Sequence, residues 1–464
     1  YVYLPLICYN KSIMTFQRKQ IKALFNWKTS QNRKPLVLRG ARQVGKTTLV
    51  NIFSKNYQQY IALNLEKKKD AGYFTAYNDV SVILNALLLE NRLQSVTKKE
   101  TLLFIDEIQE CPEAITLLRY FYEEISGLHV IAAGSLLEHA LSNVKSFPVG
   151  RVQYLYVSPM NFEEFLLAHQ MENLVQKLRE TPIEQAAHHL SLQWFHRYAM
   201  LGGMPEVVEQ SIGQDSISQL PEIYESIWGS YQDDISKYAK NTSEEKVIRH
   251  LIKTAPLYMD SRVTFQGFGK SNYRSREVGE SFRALDDAKI IQLIYPGTSV
   301  DFPLITDYRK SPRLQFLDTG LLNHALGIQA NLLAIEDLST SYKGALLPHL
   351  ITQEVISTQE KSYQKPNFWV REKKGAQAEV DLVYPFENLI IPIEIKSGKA
   401  GKLRSLHQFV DSAPHPYAVR LYAGKFNIEK HKTPKGTYYY LMNLPYYLAL
   451  YLEAYLSYLL KKYD

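Results

Sequence analysis

The chain has 464 residues, which is too long for a single hydrophobic core and predicts roughly three or four folded units. Hydrophobic residues make up 45% and charged residues 22%, so the composition is that of a globular protein and excludes a disordered chain. Two cysteines exclude a disulfide framework and favour a reducing compartment, so we predict a cytoplasmic location. The net charge of +7, spread over this length, permits contact with an acidic polymer without requiring it.

The two ends of the chain are apolar, and neither predicts a membrane span. Residues 1–13 are short and are expected to lie outside the fold as an N-terminal tail. The C-terminal run "NLPYYLALYLEAYLSYLL" contains Glu453 and many tyrosine hydroxyls, which favours a packed amphipathic helix. We therefore expect no membrane partner.

The stretch "KPLVLRGARQVGKTTLV", residues 34–50, predicts a strand, a glycine-rich turn and the start of a helix. Gly40 and Gly45 bracket a complete phosphate-binding loop, because glycine lets backbone N–H groups turn towards a polyphosphate. Lys46 is predicted to reach the β and γ phosphates, and Thr47 to place its hydroxyl on Mg²⁺. ATP and Mg²⁺ are therefore the predicted cofactors. The predicted nucleotide-binding residues are Gly40, Ala41, Arg42, Gln43, Val44, Gly45, Lys46, Thr47 and Thr48.

A second segment, "TLLFIDEIQE", predicts an apolar strand that ends in two acidic residues. Asp106 stands where a carboxylate supports the metal, and Glu107 where one orients the attacking water. Ser135 follows a later strand and is either a sensor of the γ-phosphate or a plain turn residue. Arg151 could neutralise transition-state charge in the same or a neighbouring subunit, although a surface arginine is the favoured interpretation. The side chain of Arg42 is predicted to be solvated.

Strand-like and helical runs alternate around these motifs, which predicts a parallel sheet with helices on both faces. Six segments, "LRGARQVGKTTL", "LFIDEIQECP", "AAGSLLE", "SPMNFEEFL", "LGGMPEVV" and "LQFLDTGLL", resemble in this order the signatures of a large prokaryotic family. Its members join an AAA+-like ATPase domain to a C-terminal domain related to restriction endonucleases. The resemblance runs from about Met14 to the end and implies ATP binding, but hardly constrains the substrate.

The predicted fold class is α/β: a P-loop ATPase sheet, a helical lid, a winged-helix-like middle module and a restriction-endonuclease-like domain. The predicted bounds are 14–158 for the ATPase core, 159–240 for the lid, 241–325 for the middle module and 326–464 for the C-terminal domain.

Two segments of the middle of the chain have mainly structural interpretations. In "YAMLGGMPEVV", Gly202-Gly203 is expected to break a helix and Pro205 to begin the next one. Asp233 and Asp234 are predicted to lie on a solvated helix face.

Residues 245–300 predict a helix, a short strand, a second helix and a strand, which suits a winged helix. Such a unit often binds DNA, but here arginines alternate with acidic residues, so packing or protein contact is favoured over DNA contact.

The segment "AEVDLVYPFENLIIPIEIKSG", residues 378–398, predicts a hairpin with charged residues on one face: Glu379, Asp381, Glu394 and Lys396. Its Asp-(x)12-Glu-x-Lys spacing matches the active-site pattern of the restriction-endonuclease-like fold that the resemblance implies. Asp381 and Glu394 are predicted to bind Mg²⁺, and Lys396 to position or activate the attacking water. The alternative is a half-exposed hairpin with ordinary cross-strand ion pairs.

Two neighbouring features bear on this hairpin. Glu354 lies on the apolar face of a predicted helix and is the expected accessory metal ligand. Pro392 predicts a bulge or an edge position in the second strand. The basic stretch between residues 397 and 436 includes Phe409, Tyr417 and Tyr422 and is the clearest nucleic-acid signal in the chain.

The leading hypothesis is a Mg²⁺-dependent ATPase whose nucleotide state controls a C-terminal nucleic-acid-processing domain. The main alternative is an ATP-gated switch whose C-terminal domain binds a protein or a nucleic acid without cleaving it. A protein partner or a homo-oligomer is possible in either case.

Overall fold

The computed structural model describes residues 16–93, 100–125, 127–135, 150–212, 219–259, 261–328, 344–359, 364–371, 378–398 and 403–463. The predicted N-terminal tail, residues 1–13, lies outside the described residues. None of the helices in these ranges is both long and apolar enough to cross a membrane.

The N-terminal part forms a five-stranded parallel sheet with the strand order β2-β3-β4-β1-β5. Side chains alternate between two buried clusters, because successive residues of a strand face opposite sides: Leu36 and Leu38 lie in one cluster and Val37 in the other. The prediction of a parallel sheet covered on both faces is therefore confirmed. Its elements are α1 (Gln20–Thr29), β1 (Leu36–Arg39), α2 (Lys46–Ser54), β2 (Gln59–Asn64), α3 (Lys68–Ala76), α4 (Val80–Glu90), β3 (Thr101–Asp106), α5 (Pro112–Glu124), β4 (His129–Gly134) and β5 (Gln153–Tyr156).

A helical segment follows the sheet, and its assignment as a lid with the bounds 159–240 stays a prediction. Asn161 and Glu164 form a capping box at its start: each side chain accepts a hydrogen bond from the backbone N–H of the other, at 2.9 and 3.1 Å. The predicted corner is also present, since one helix ends before Gly202 and the next begins at Pro205. The helices are α6 (Phe162–Ala168), α7 (Glu172–Leu178), α8 (His188–Leu201), α9 (Pro205–Gln210), α10 (Leu220–Asp233) and α11 (Ile235–Tyr238).

The described middle of the chain contains three α-helices and a two-stranded antiparallel sheet of β6 and β8. A single bridge joins Arg262 to Arg313, which adds a third extended segment. This order of elements is compatible with a winged helix, and that assignment stays a prediction. The elements are α12 (Thr242–Thr254), α13 (Ser275–Asp287), β6 (Ile291–Ile294), β7 (Pro296–Gly297), β8 (Arg313–Phe316) and α14 (Thr319–Ala325).

The C-terminal part is a seven-stranded mixed sheet with the order β13-β14-β12-β11-β10-β9-β7. The strand β7, from the middle of the chain, pairs with β9, so this sheet extends across the predicted boundary at residue 325. The elements are α15 (Leu346–Ser357), β9 (Asn367–Val370), β10 (Glu379–Phe386), β11 (Leu389–Ile395), α16 (Arg404–Val410), β12 (Tyr417–Tyr422), β13 (Asn427–Lys432), β14 (Tyr438–Pro445) and α17 (Leu452–Tyr463).

The prediction that Pro392 marks a bulge or an edge is wrong. Pro392 of β11 pairs with Val383 of β10, and β11 lies between β10 and β12 inside the sheet. The sheet tolerates the proline because pairing with β12 begins only at the next residue, Ile393, so the missing N–H falls ahead of that ladder.

Candidate nucleotide and carboxylate sites

The loop between β1 and α2 has the backbone that a phosphate-binding loop requires. Gly40 and Gly45 have φ angles of 152° and 93°, and Gln43 has a φ of 61°. A Cβ on Gly40 would lie 2.2 Å from the carbonyl oxygen of Val157, so no larger residue fits there. The loop ends at the N-terminus of α2, whose first N–H groups have no partner within the helix. This cradle fits a polyphosphate.

The polar side chains of the loop are placed for nucleotide chemistry. Lys46 is buried, and its Nζ donates to the carbonyl oxygens of Gly40 and Ala41 at 2.9 and 2.8 Å. Thr47 Oγ1 donates to Asp106 Oδ2 at 2.7 Å, which joins the loop to the end of β3. Burial raises the pKa of Asp106, and the hydrogen bond from Thr47 opposes that shift. A hydroxyl and a carboxylate in contact beside the loop are the oxygen donors that Mg²⁺ uses.

A cavity of about 410 Å³ lies against this loop. Its wall includes the side chains of Thr47, Thr48 and Glu107, together with residues of the helical segment such as Pro205 and Ser230. The structure therefore places the predicted Glu107 at the same cavity as the predicted loop. Ala41 and Val44 of the loop are buried and pack in the hydrophobic core.

Glu107 is held in a strained position that the sequence did not reveal. Its backbone lies in the left-handed region at φ 50°, which non-glycine residues rarely adopt. Gln109 Nε2 donates to Glu107 Oε2 at 2.5 Å, and Gln109 itself packs against Gly134 at the end of β4. Gln109 is thus a positioning residue that fixes the carboxylate of Glu107 relative to the sheet.

Ser135 directly follows β4, at the carboxyl ends of the strands, where Asp106 ends β3. Ser135 is 4% exposed, and its Oγ has no hydrogen-bond partner among the residues that the structure describes. The residues that follow, 136–149, lie outside the described parts of the chain, so the sensor role of Ser135 stays a prediction.

The prediction that Arg42 and Asp234 are solvated is wrong. The Arg42 guanidinium forms an ion pair with Asp234, whose side chain is only 7% exposed. Tyr231, from the neighbouring helix α10, donates its hydroxyl to the carbonyl oxygen of Arg42 at 3.0 Å. Lys237 pairs with Glu110, just beyond the acidic end of β3, at 3.1 Å. The helical segment therefore contacts both nucleotide motifs.

Arg18 also supports the loop, and no sequence pattern indicated this role. Its guanidinium is buried and donates to Glu164 at 3.1 Å, to Val44 O at 3.0 Å and to Ser158 O at 2.6 Å. One arginine thus joins the loop, the end of the sheet and the capping box of α6.

Arg151 lies far from the loop within this chain. It precedes β5, at the sheet edge opposite to the phosphate-binding loop, and its Nε is 2.8 Å from Glu123 Oε1. The side chain is 47% exposed. A catalytic role in the same subunit is therefore wrong, and a role in a neighbouring subunit stays a prediction.

The hairpin of β10 and β11 gathers the predicted charged groups. Leu382 pairs with Ile393, which puts Asp381 across from Glu394 one position further along. Asp381 Oδ2 accepts a hydrogen bond from the backbone N–H of Ile395 at 2.8 Å, and Lys396 Nζ lies 2.5 Å from Glu394 Oε1. Burial and the nearby Asp381 raise the pKa of Glu394 to about 7. The alternation of the strands thus predicted this grouping correctly.

The structure does not bring Glu354 to this pair, so its prediction as a metal ligand is wrong. Glu354 is 1% exposed and accepts hydrogen bonds from Phe162 N at 3.1 Å and from Tyr198 Oη at 2.7 Å. Both of these hydrogen-bond partners belong to the helical segment, Phe162 to α6 and Tyr198 to α8. In the described parts of the chain, no three His, Cys, Asp or Glu side chains group as a metal site.

The aromatic residues of the basic stretch are not a nucleic-acid surface. Phe409, Tyr417 and Tyr422 are 0%, 5% and 8% exposed and pack in the core of the C-terminal part. Lys430 and Lys432 are exposed on β13 and lie over the ring of Tyr438 at 5.1 and 4.9 Å. Lysines on an edge strand also have a structural explanation, since they prevent pairing with other strands.

The parallel sheet, the phosphate-binding loop and the Thr47–Asp106 contact together define a P-loop ATPase domain. Family comparison agrees with this class: residues 32–166 match the model described as an AAA domain. Residues 192–332 and 343–447 match two domains of unknown function, DUF8612 and DUF4143. A search of curated proteins finds no match to this chain. The relation of the C-terminal part to restriction endonucleases therefore stays a prediction.

Solved structures that resemble this chain are distant. The Walker-type ATPase PABY2304 of Pyrococcus abyssi is 14% identical over 67% of this chain and 96% of its own, with a TM-score of 0.43. The Aeropyrum pernix ORC1 protein in complex with DNA is 14% identical over 68% of this chain and 92% of its own, with a TM-score of 0.28. The closed state of Hsp104 with ATPγS and FITC casein is 15% identical over 61% and 52%, with a TM-score of 0.29.

Proposed function

We propose that this protein hydrolyses ATP with Mg²⁺ and that its nucleotide state controls a nuclease-like site in the C-terminal part. The observation that carries the first half is the 2.7 Å contact of Thr47 with Asp106 beside the loop of Lys46. Thr47 and Asp106 are 59 positions apart in the chain, and the fold brings their hydroxyl and carboxylate together beside the glycine loop and the ammonium of Lys46.

Each residue of the cavity has a role that follows from its chemistry. Lys46 would leave the loop carbonyls to hold the β and γ phosphates, while Thr47 and Asp106 would hold the metal. Mg²⁺ bound with ATP would supply neutralisation of charge on the phosphate oxygens. Glu107, fixed by Gln109, would orient the attacking water in line with the γ-phosphate.

Contacts of the lid with both nucleotide motifs support the second half of the proposal. Arg42 lies inside the loop and is paired with Asp234, and Tyr231 binds the loop backbone. A nucleotide that reshapes the loop would act directly on α10 and α11. Of these two helices, α10 is hydrogen-bonded to α14, since Trp228 Nε1 donates to Leu321 O at 3.0 Å.

The C-terminal site is supported by its donor set. Asp381 and Glu394 are adjacent carboxylates, and Glu394 Oε2 is buried without a hydrogen-bond partner in the described structure. Two carboxylates with water suffice for Mg²⁺, and Lys396 is placed to position a water or to offset phosphodiester charge.

The alternative, a switch that binds a protein or nucleic acid without cleavage, also has a specific observation in its favour. Glu354, the expected third acidic ligand, is hydrogen-bonded to Phe162 and Tyr198 of the helical segment instead. A site with only two carboxylates has less charge to hold a metal and is better suited to binding than to cleavage.

The test measures phosphate release from ATP by the purified full chain, in parallel with cleavage of DNA and RNA. Lys46→Ala is expected to abolish ATP turnover, and Glu107→Gln to bind ATP while lowering kcat by about 100-fold or more. Arg119→Ala, an exposed arginine on α5, is the control and should leave turnover unchanged. ATP turnover that survives Lys46→Ala would contradict the ATPase assignment.

The cleavage assay separates the two C-terminal roles. Loss of Mg²⁺-dependent cleavage in Asp381→Asn would support the nuclease-like site. Nucleotide-dependent binding with no cleavage by the wild type, in Mg²⁺ or Mn²⁺, would favour the switch.

A further inference from the structure

Arg313, on β8 of the middle of the chain, reaches into the carboxylates of the hairpin. Its guanidinium is hydrogen-bonded to Glu379 and lies 3.7 Å from Asp381 Oδ1. It also donates to the backbone carbonyl of Asp381 at 3.4 Å, and its flat face lies 4.6 Å from the ring of Phe368. The side chain is 13% exposed, so this ion pair is largely buried and is not a solvent-exposed surface pair.

The cations already present balance the carboxylates of the hairpin. The three acidic side chains are Glu379, Asp381 and Glu394. Arg313 pairs with Glu379, and Lys396 pairs with Glu394. A third cation, Arg262, lies 3.9 Å from Glu379. A divalent cation added to this set would leave two excess positive charges in a partly buried space, which is unfavourable. A metal can therefore bind well only if one of the cations withdraws.

Arg313 is the cation that is able to withdraw. Lys396 lies two residues from Glu394 on the same strand and moves with it, whereas Arg313 belongs to a different sheet. Without Arg313, Asp381 Oδ1 and the unpartnered Glu394 Oε2 would both be available to a cation.

The element that carries Arg313 is joined to the lid. Asp318, two residues after β8, accepts a hydrogen bond from the backbone N–H of Gly203 at 2.6 Å. The helix α14 that follows accepts the hydrogen bond of Trp228 from α10, and Tyr231 of the same helix binds the phosphate loop. A short series of direct contacts thus connects the phosphate-binding loop with β8.

We propose that Arg313 is an inhibitory cation that occupies the hairpin site and excludes a divalent metal until the lid and β8 shift. This inference rests on the C-terminal metal site of the proposed function. It adds the means by which the nucleotide state would control that site: Arg313 and the metal compete for the same carboxylates.

The test measures Mn²⁺ binding to the full chain by electron paramagnetic resonance and calorimetry, without nucleotide. Arg313→Gln is expected to bind Mn²⁺ about 10-fold or more tightly than the wild type, and Arg313→Gln with Asp381→Asn to lose that binding. Arg309→Gln, an exposed arginine in the loop before β8, is the matched control and should equal the wild type. Thermal melting of each variant checks that it is folded.

A second variant separates charge from packing. Arg313→Lys keeps the positive charge and is expected to bind Mn²⁺ like the wild type. Tightening in Arg313→Lys equal to that in Arg313→Gln would overturn the inference, since lost packing would then explain both.

The remaining outcomes distinguish the inference from the proposed function. If wild type and Arg313→Gln bind Mn²⁺ equally, in an Asp381-dependent way, the metal site stands and the inhibitory role of Arg313 is wrong. If neither binds Mn²⁺ through Asp381, the metal site itself is wrong and the inference falls with it.

Discussion

Glu354 shows how one buried side chain can carry a proton for structural reasons. The Tyr198 hydroxyl has one proton but two acceptors within reach, Met160 O at 2.9 Å and Glu354 Oε1 at 2.7 Å. If Glu354 is protonated, it donates to Tyr198 while Tyr198 donates to Met160, and each group is satisfied. Burial raises the pKa of Glu354 to about 8, despite opposing hydrogen bonds from Tyr198 and Phe162. The neutral acid is therefore the state that fits this site near pH 7.

The variant Glu354→Gln is expected to be more stable than the wild type at high pH. The native pKa lies above the unfolded value, so the contribution of Glu354 is complete below about pH 4.5 and is lost as the pH rises through about 8. Glutamine keeps the shape and both hydrogen bonds without a charge to bury. The difference in unfolding free energy should grow from near zero at pH 5 to about 2–4 kcal/mol at pH 9.

Urea unfolding at several pH values measures this difference. Glu354→Ala is the control, because it removes the hydrogen bonds as well and should destabilise the protein at every pH by about 2–4 kcal/mol. A pH-independent difference between Glu354→Gln and wild type would show that the carboxyl is ionised in the native state.

At the scale of elements, the corner between α8 and α9 is held by a residue far along the chain. Gly202 has a φ of 70°, and a Cβ there would lie 2.1 Å from Asp318 Oδ1. A Cβ on Gly203 would lie 1.8 Å from Met160 O. The segments "LGGMPEVV" and "LQFLDTGLL" thus form two sides of one contact, in which burial raises the pKa of Asp318 to about 6.

Gly202→Ala is expected to lower the free energy of unfolding by about 3 kcal/mol or more, because it combines backbone strain with displacement of a buried carboxylate. Gly229→Ala is the matched control. That glycine lies inside α10 with nothing within 4 Å of the added Cβ, so alanine should stabilise the helix by about 0.5–1 kcal/mol. Equal effects of the two substitutions in urea unfolding would contradict this account of the corner.

The elements that sequence predicted correctly are those whose determinants are local. The phosphate-binding loop is set by Gly40, Gly45 and Lys46 within a few residues, and the hairpin face by the two-residue period of a strand. Arg42–Asp234 and Arg313–Glu379 join residues 192 and 66 positions apart, and no local pattern specifies either partner. Charged residues therefore looked solvated in the sequence when their partners lay elsewhere in the fold.

The same reason explains the wrong predictions for Glu354 and for the aromatic residues near the hairpin. A carboxylate on an apolar helix face must have a partner, but the sequence does not say whether that partner is a metal or Tyr198. Tyr417 and Tyr422 lie on one internal strand, β12, in which every residue except the half-buried Arg420 is buried, and a list of basic and aromatic residues does not reveal this.

At the scale of the whole molecule, one buried cluster extends from the ATPase sheet to the C-terminal helix. It includes Leu38 of β1, Phe195 of the lid, Phe282 of the middle part and Val419 and Leu456 of the C-terminal part. Continuous apolar packing of this kind makes the separate unfolding of one part unfavourable, because it would expose the apolar surface of the neighbouring part to water. We therefore expect the lid, the middle part and the C-terminal sheet to unfold with the ATPase sheet.

Hydrogen exchange with and without nucleotide tests this unity. ATPγS with Mg²⁺ at about 100 times its dissociation constant stabilises the native state by about 2.7 kcal/mol. If unfolding is global, the slowest-exchanging amides of β12 and β14 should gain the same protection as those of β1 and β4, roughly 100-fold in exchange rate. Lys46→Ala, which lacks the phosphate contact, should show no gain in either sheet. Protection confined to the ATPase sheet would instead show that the C-terminal part opens independently, and the nucleotide would then have to act on Arg313 by local contacts alone.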